Sequence, residues 1–68
     1  MFWENFYKIC LNRGTKPNSV AKEIGISSGT LTKWKTTGAL PNGANLLKIA
    51  NYLDCSVDYL LGRKMMRQ

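Results

Sequence analysis

Glycine spacing is the feature that most constrains what this chain can fold into. Gly14, Gly25 and Gly62 each follow a short segment whose apolar residues recur at intervals of three or four. That interval is typical of one face of an α-helix, and a glycine after such a segment commonly ends the helix. No segment alternates between apolar and polar residues for long enough to indicate a strand. The sequence therefore predicts short helices around one core.

The pattern predicts five helices, most of them with a recognisable start signal. They span residues 3–13, 17–24, 28–36, 43–53 and 57–61. Pro17 suits the first position of the second helix, where no N–H is needed. Ser27, Asn42 and Ser56 precede the later helices, and each offers a side-chain oxygen as an N-cap. We find no interdomain linker and no repeat, so the prediction is one all-α domain.

Helical spacing also predicts which side chains face inward. Phe2, Phe6, Ile9 and Cys10 share one face of the first helix. The other inward positions are Val20, Ala21, Ile24, Ile26, Leu31 and Trp34. Tyr52 and Tyr59 are expected to pack the last two helices, with their hydroxyls at the rim of the core. The positions expected to be solvated are Lys8, Arg13 and Lys22, with Trp3 or Tyr7 marking an exposed contact surface.

Charge and size restrict the function. Ten Lys and Arg against four Asp and Glu give a net charge of +6, which favours a polyanion partner, nucleic acid before an anionic membrane. The lysines do not gather on one long amphipathic helix, which disfavours the membrane. The alternative is that the positive charge contributes only to solubility and binds no partner. A 68-residue chain with no histidine, no carboxylate pair and no glycine-rich phosphate loop is not expected to be an enzyme.

The two cysteines do not predict a metal site. Cys10 and Cys55 are far apart in sequence, and without histidine they cannot complete a tetrahedral zinc site. No signal-peptide pattern and no apolar run of about 20 residues is present, so we expect a cytoplasmic protein with reduced cysteines. We expect no cofactor, no metal and no small-molecule substrate.

Residues 17–36 form the segment with the clearest functional pattern. Two predicted helices are joined by a tight turn at Gly25, which can adopt a left-handed backbone. Ala21 is small where the two helices would cross. Such a pair is the helix-turn-helix unit, whose second helix enters the major groove of DNA. The alternative is a plain helical hairpin with no role in DNA binding.

The outward face of the third predicted helix favours DNA. If Leu31 and Trp34 face inward, the outward residues are Ser28, Gly29, Thr32 and Lys33. No acidic residue lies between Glu23 and Asp54, and Lys33 and Lys35 occupy this acid-free stretch among serine and threonine hydroxyls. Phosphates accept hydrogen bonds from such groups, and a lysine can bind guanine O6 and N7.

Four segments carry a resemblance to a known family: 19–27 (SVAKEIGIS), 30–35 (TLTKWK), 46–53 (LLKIANYL) and 56–62 (SVDYLLG). In this order and spacing they resemble the Cro/phage-repressor (XRE-type) helix-turn-helix family over residues 3–62. The resemblance implies a compact five-helix, lambda-repressor-like DNA-binding domain over 1–62, followed by a basic tail over 63–68. It implies a sequence-specific, double-stranded DNA-binding transcriptional regulator of prophage repressor or Cro type, bacterial or phage-encoded. Such a protein usually binds an inverted-repeat operator as a homodimer.

The resemblance also implies site residues. The base-reading positions are Ser28, Gly29, Thr32 and Lys33, on a recognition helix of about 28–36 in the major groove. The phosphate-binding positions are Lys16, Pro17, Asn18, Ser27, Lys35, Thr36, Thr37 and Asn42. The chain departs from the family at three of these positions. Many members carry a polar amide in place of Pro17, a serine or threonine in place of Lys16, and a base-reading side chain in place of Gly29.

Two further interpretations stay open. The fold also suits a protein-interaction module, such as an antitoxin or antirepressor subunit, although the acid-free stretch disfavours it. The tail is either a frayed terminus or part of an apolar strip for a twin subunit, formed by Leu60, Leu61, Met65 and Met66.

Overall fold

The computed structural model describes residues 2–63, which form five α-helices and no strand. The helices are α1 (Phe2–Asn12), α2 (Pro17–Ile24), α3 (Ser28–Thr37), α4 (Gly43–Leu53) and α5 (Val57–Leu60). The predicted all-α class is confirmed. The bounds of α2 and α4 are as predicted, and those of the other three differ by one residue at one or both ends. The part of the predicted tail from 64 to 68, including Met65 and Met66, lies outside the described residues.

Three helices begin at the predicted cap residues. The Ser27 hydroxyl accepts a hydrogen bond from the Thr30 N–H at 3.2 Å, and Ser56 accepts one from the Tyr59 N–H at 2.9 Å. The Asn42 side-chain oxygen accepts the Asn45 N–H at 2.8 Å. Each bond satisfies an N–H that has no acceptor inside its own helix. The caps therefore fix where α3, α4 and α5 start.

One apolar core joins all five helices. Its buried members are Phe2, Phe6, Ile9, Cys10, Val20, Ala21, Leu31, Trp34, Ile49, Ala50, Leu53, Tyr59 and Leu60. The rings of Phe2 and Trp34 meet edge to face with centroids 5.7 Å apart, which packs the start of α1 against α3. Leu31 and Trp34 thus face inward as predicted. Ile24 and Ile26 are half-buried at the edge of this core.

Two predictions about side-chain burial are wrong. Tyr52 leaves 48% of its side chain exposed instead of packing α4 against α5, while Tyr59 is buried as predicted. Leu60 is fully buried, so it is not available for the apolar strip proposed for a twin subunit. Leu60 serves the core because the short α5 packs against both α1 and α4.

Arg13 is also not the simple solvated residue that its position predicts. Its Nε donates to the Leu53 carbonyl at 2.8 Å, and its Nη2 donates to the Asp54 carbonyl at 3.0 Å. These carbonyls lie at the C-terminal end of α4, where the last turn has no helical donors and a partial negative charge. Arg13 therefore links the end of α1 to the end of α4.

Both cysteines are free, and each packs in or against the core. Burial, and secondarily the neighbouring Cys55, raises the pKa of the Cys10 thiol to about 12. Burial also raises the pKa of Cys55, partly offset by the positive charge of Arg13. Raised pKa values keep both thiols protonated at neutral pH, which is typical of structural rather than reactive cysteines.

Candidate nucleic-acid interface

The turn between α2 and α3 is built around Gly25. This residue has φ +83°, in the left-handed region, and the N–H groups of Gly25 and Ile26 both donate to the Ala21 carbonyl. The left-handed residue reverses the chain sharply at the end of α2, so that Ser27 can cap α3 two residues later. The result is two short helices packed against each other through a glycine turn, as the sequence predicts.

The outward face of α3 carries the predicted base-reading residues. Ser28, Gly29, Thr32 and Lys33 are all exposed, whereas Leu31 and Trp34 on the same helix are buried. A Cβ built on Gly29 would meet no atom within 4 Å. These four positions therefore offer solvent one lysine, two hydroxyls and a stretch of open backbone. Their role in reading bases stays a prediction.

Most of the hydroxyls predicted to hold phosphates are already engaged within α3 and its flanks. Thr36 donates to the Thr32 carbonyl at 2.9 Å, and Thr37 donates to the Lys33 carbonyl at 2.6 Å. The Ser27 hydroxyl donates to Thr30 Oγ1 at 3.0 Å while it accepts the capping N–H. A phosphate would have to replace these internal bonds. Lysine ammonium groups and side-chain amides are thus the more accessible donors.

A surface cleft of about 430 Å³ brings several predicted residues together. Lys16 and Asn18 at the start of α2 line it with Thr32 and Lys35 from the middle of α3. Asn18 and Ser28 also share a smaller neighbouring depression of about 300 Å³. The phosphate-binding candidates of two helices therefore border the reading face. Asn42 lines neither depression, and its side-chain oxygen is occupied by the cap of α4.

The N-terminus of α2 adds donors to this cleft. Lys16 precedes the helix with no side-chain capping bond, and Pro17 has no N–H. The N–H groups of Asn18 and Ser19 lie in the first turn, where a helix supplies no acceptor. Uncapped N–H groups and the positive end of the helix dipole favour an anion at this position.

The cleft contains four residues that the sequence-based site did not include. One is the buried Leu31 of α3, and the others are Trp3, Tyr7 and Leu11 of α1, of which Tyr7 and Leu11 are exposed. Their spacing of four places them in one stripe along α1. That stripe is visible in the sequence, but only the packing of α1 against α2 places it beside Lys16.

Residues 2–63 contain neither a candidate metal-binding cluster nor a candidate membrane-spanning helix. This part of the chain holds no group of three or more His, Cys, Asp or Glu side chains that could bind a metal ion. None of its helices is both long enough and apolar enough to cross a bilayer.

Two short helices joined by a glycine turn, with an exposed acid-free surface on the second, define a helix-turn-helix domain of the DNA-binding class. The family described as the Cro/C1-type HTH DNA-binding domain matches residues 5–64, and the chain belongs to this family. The predicted family is thus confirmed, and with it the predicted lambda-repressor-like fold. The family is one of DNA-binding domains and not of enzymes, as the sequence predicts.

The proteins to which the chain is similar include two named repressors and one HTH-type transcriptional regulator. The chain is 40% identical over 43 residues to Repressor protein C2 of Salmonella phage P22, covering 63% of this chain and 20% of that protein. It is 46% identical over 44 residues to the cryptic phage CTXphi transcriptional repressor RstR of Vibrio cholerae serotype O1, covering 65% and 39%. It is 31% identical over 52 residues to an uncharacterized HTH-type transcriptional regulator of Haemophilus influenzae, covering 76% and 22%. No solved structure matches the chain significantly.

The matched regions thus amount to between a fifth and two fifths of the length of these relatives.

Proposed function

We propose that this chain is the sequence-specific DNA-binding domain of a transcriptional regulator of phage-repressor type, with α3 as the recognition helix in the major groove. One observation carries the proposal. The exposed face of α3 borders a cleft in which Lys16, Asn18 and Lys35 converge, so groups suited to bases and groups suited to phosphates share one surface. The family and the repressor names of two relatives support this role.

Phosphate contacts set the position of the domain on the duplex. Lys16, Lys35 and the amide of Asn18 bind backbone oxygens, together with the open N–H groups at the start of α2. The Asn42 amide nitrogen contacts a further phosphate. Ser27, Thr36 and Thr37 are secondary contacts, because each hydroxyl must first release an internal hydrogen bond.

Base readout then relies on few side chains. Lys33 donates to guanine O6 or N7, while Ser28 and Thr32 contact base edges through their hydroxyls. Gly29 adds no side chain and lets the helix backbone lie close to the bases. Occupancy of the operator in the bacterial cytoplasm changes the access of RNA polymerase. A homodimer would place two recognition helices about 34 Å apart, one turn of DNA, on an inverted repeat.

The decisive experiment selects duplexes bound by the 68-residue chain from a random pool and then compares Lys33→Ala with Lys48→Ala. Lys48 is also exposed and within the acid-free stretch, but it lies on α4. We expect Lys33→Ala to weaken binding about 5- to 100-fold and to relax the preference at one base pair. Lys48→Ala should leave that preference unchanged. Wild-type affinity should fall steeply as salt rises, because bound lysines displace counterions.

Enrichment of no sequence from the pool, together with affinity that is flat in salt, would contradict the proposal and favour a protein-interaction module. Uniform loss of affinity in Lys33→Ala on every duplex would make Lys33 a phosphate contact instead of a reading residue. An enriched inverted repeat would support the homodimer, while a single half-site would contradict it.

A further inference from the structure

Helix α1 has two apolar stripes, and only one of them serves the core. Phe2, Phe6 and Ile9 are buried, whereas Tyr7 and Leu11 leave 47% and 54% of their side chains in water. Trp3 is half-buried, and its ring meets Phe6 edge to face at 5.6 Å. Within residues 2–63, the outer side of the second stripe, formed by Trp3, Tyr7 and Leu11, therefore has no internal partner.

The cleft beside this stripe is lined by both apolar and basic side chains. Besides the stripe, the residues of 2–63 that line the cleft are Lys16, Pro17 and Asn18 at the start of α2 and Leu31, Thr32 and Lys35 of α3, and none of them carries a carboxylate. Glu4 of α1 lines an adjoining depression, which shares Trp3, Tyr7 and Lys35 with the cleft and is also lined by Lys8. The chemical character of the cleft thus fits a ligand that carries both an anionic group and a hydrocarbon face.

Thr32 ties the cleft to the surface proposed for base reading. Thr32 lines the cleft and also belongs to the outward face of α3. A strand of DNA whose bases lie against α3 has its sugar–phosphate backbone at the edge of the groove, beside the helix. Continuity of the two surfaces therefore identifies which part of a bound duplex would reach α1.

We propose that this cleft holds one deoxyribose-phosphate unit of the DNA backbone, so that α1 is a DNA-contacting element. The phosphate lies between Lys16 and Lys35 and accepts a hydrogen bond from the Tyr7 hydroxyl. The sugar packs its C–H face against Trp3 and Leu11. This inference rests on the proposed function and adds a backbone contact from a helix outside the helix-turn-helix unit.

The test measures binding of the 68-residue chain to a duplex of random sequence by fluorescence anisotropy. Tyr7→Phe keeps the ring and removes the hydroxyl donor, and we expect it to raise Kd about fivefold. Tyr7→Ala should raise Kd about tenfold or more. Tyr52 is the matched control, because it is equally exposed but lies on α4 outside the cleft. Tyr52→Phe and Tyr52→Ala should bind like the wild type.

The salt dependence of DNA affinity distinguishes a contact made by the Tyr7 hydroxyl from contacts made by the lysines. A neutral hydroxyl releases no counterion, so Tyr7→Phe should shift affinity without changing the slope of log K against log salt. Lys35→Ala should reduce that slope by about one. Thermal unfolding of the Tyr7 variants should match the wild type, since this ring contributes little to the core.

Three results would contradict the proposed contact between the cleft and the DNA backbone. Wild-type affinity in both Tyr7 variants, with weaker binding in Lys33→Ala and Lys35→Ala, would overturn the inference and leave the proposed function standing. Equal losses in the Tyr7 and Tyr52 variants would also overturn it. A wild-type chain that binds no duplex would overturn the inference and the proposed function together.

Discussion

At the scale of single residues, Gly25 and Gly29 show how differently two glycines can act within five positions. Gly25 has φ +83° and ends α2, whereas Gly29 lies inside α3 with ordinary helical backbone. Neither position is crowded, because a Cβ at either one meets nothing within 4 Å. Any effect of adding a methyl group is therefore a backbone effect, and its sign should differ between the two sites.

Gly25→Ala should lower the free energy of unfolding by about 1–2 kcal/mol, because an L-residue is strained in the left-handed region. Gly29→Ala is the matched control and should raise it by about 0.5–1 kcal/mol, since alanine favours a helix interior. Urea unfolding of both variants beside the wild type measures the two shifts. Destabilisation by both substitutions, to a similar extent, would contradict this assignment.

Gly29→Ala is also informative for DNA binding. If Gly29 lets the backbone approach the bases, the variant should fold more stably and still bind its selected duplex more weakly. Such opposite shifts cannot arise from partial unfolding, so the pair of measurements isolates the role of the open backbone at position 29.

At the scale of helices, the ends of α1 and α4 are joined by one guanidinium group. Arg13 donates to the carbonyls of Leu53 and Asp54, and Asp54 itself adopts a left-handed backbone with φ +56° at the end of α4. Asp54 is the one non-glycine residue of 2–63 with positive φ. The C-terminal end of α4 is therefore held by a donor that comes from 40 residues earlier in the chain.

Arg13→Ala should lower the free energy of unfolding by about 1–2 kcal/mol, because two carbonyls lose a charged donor. Arg13→Lys keeps the charge but lacks the planar fork, and it should recover only part of the loss. Lys22→Ala removes one charge from an exposed face and serves as the control, with an effect within about 0.5 kcal/mol. Chemical unfolding at moderate salt measures all three, and equal stability of Arg13→Ala and Lys22→Ala would contradict the linking role.

Local signals in the sequence predict the helices well, because caps and stops act within a few residues. Ser27, Asn42, Ser56 and Gly25 each do what their residue type and position indicate. The same locality explains the family assignment and the orientation of α3, since Leu31 and Trp34 fix which side of that helix is buried.

Features that depend on contacts between residues far apart in the chain cannot be predicted from local sequence signals. Nothing near Arg13 indicates that its partner is the end of α4, and nothing near Tyr52 shows that α5 leaves its ring in water. The internal bonds of Thr36 and Thr37 are local and could have been anticipated, since threonine in a helix often donates to the carbonyl four residues earlier. The cleft wall of Trp3, Tyr7 and Leu11 required the packing of α1 against α2.

At the scale of the whole molecule, the buried thiol of Cys10 couples stability to alkaline pH. Its pKa is about 12 in the folded chain, against about 9 for a free thiol. Between these values the unfolded chain releases a proton that the folded chain retains. Stability conferred by the neutral thiol is therefore complete below pH 9 and is lost as pH rises toward 12.

We expect the free energy of unfolding to fall above pH 9 by up to about 1.4 kcal/mol per pH unit from this thiol. Cys10→Ala should be less stable at neutral pH, because it leaves a cavity, but its stability should fall less steeply from pH 8 to 10.5. The pKa values of Cys55 and Tyr59 are also raised by burial, but both groups are present in the two proteins that are compared. Parallel pH profiles for Cys10→Ala and the wild type would rule out the coupling.

The exposed positions 28, 29, 32 and 33 have a consequence for how such a domain diversifies. Their side chains lie outside the core and make no side-chain hydrogen bond within residues 2–63. Substitutions there leave the packing of Leu31 and Trp34 intact, so selection for folding scarcely restricts them. On the proposed function, a lineage could acquire a new DNA target through substitutions at these four positions while its core stays unchanged.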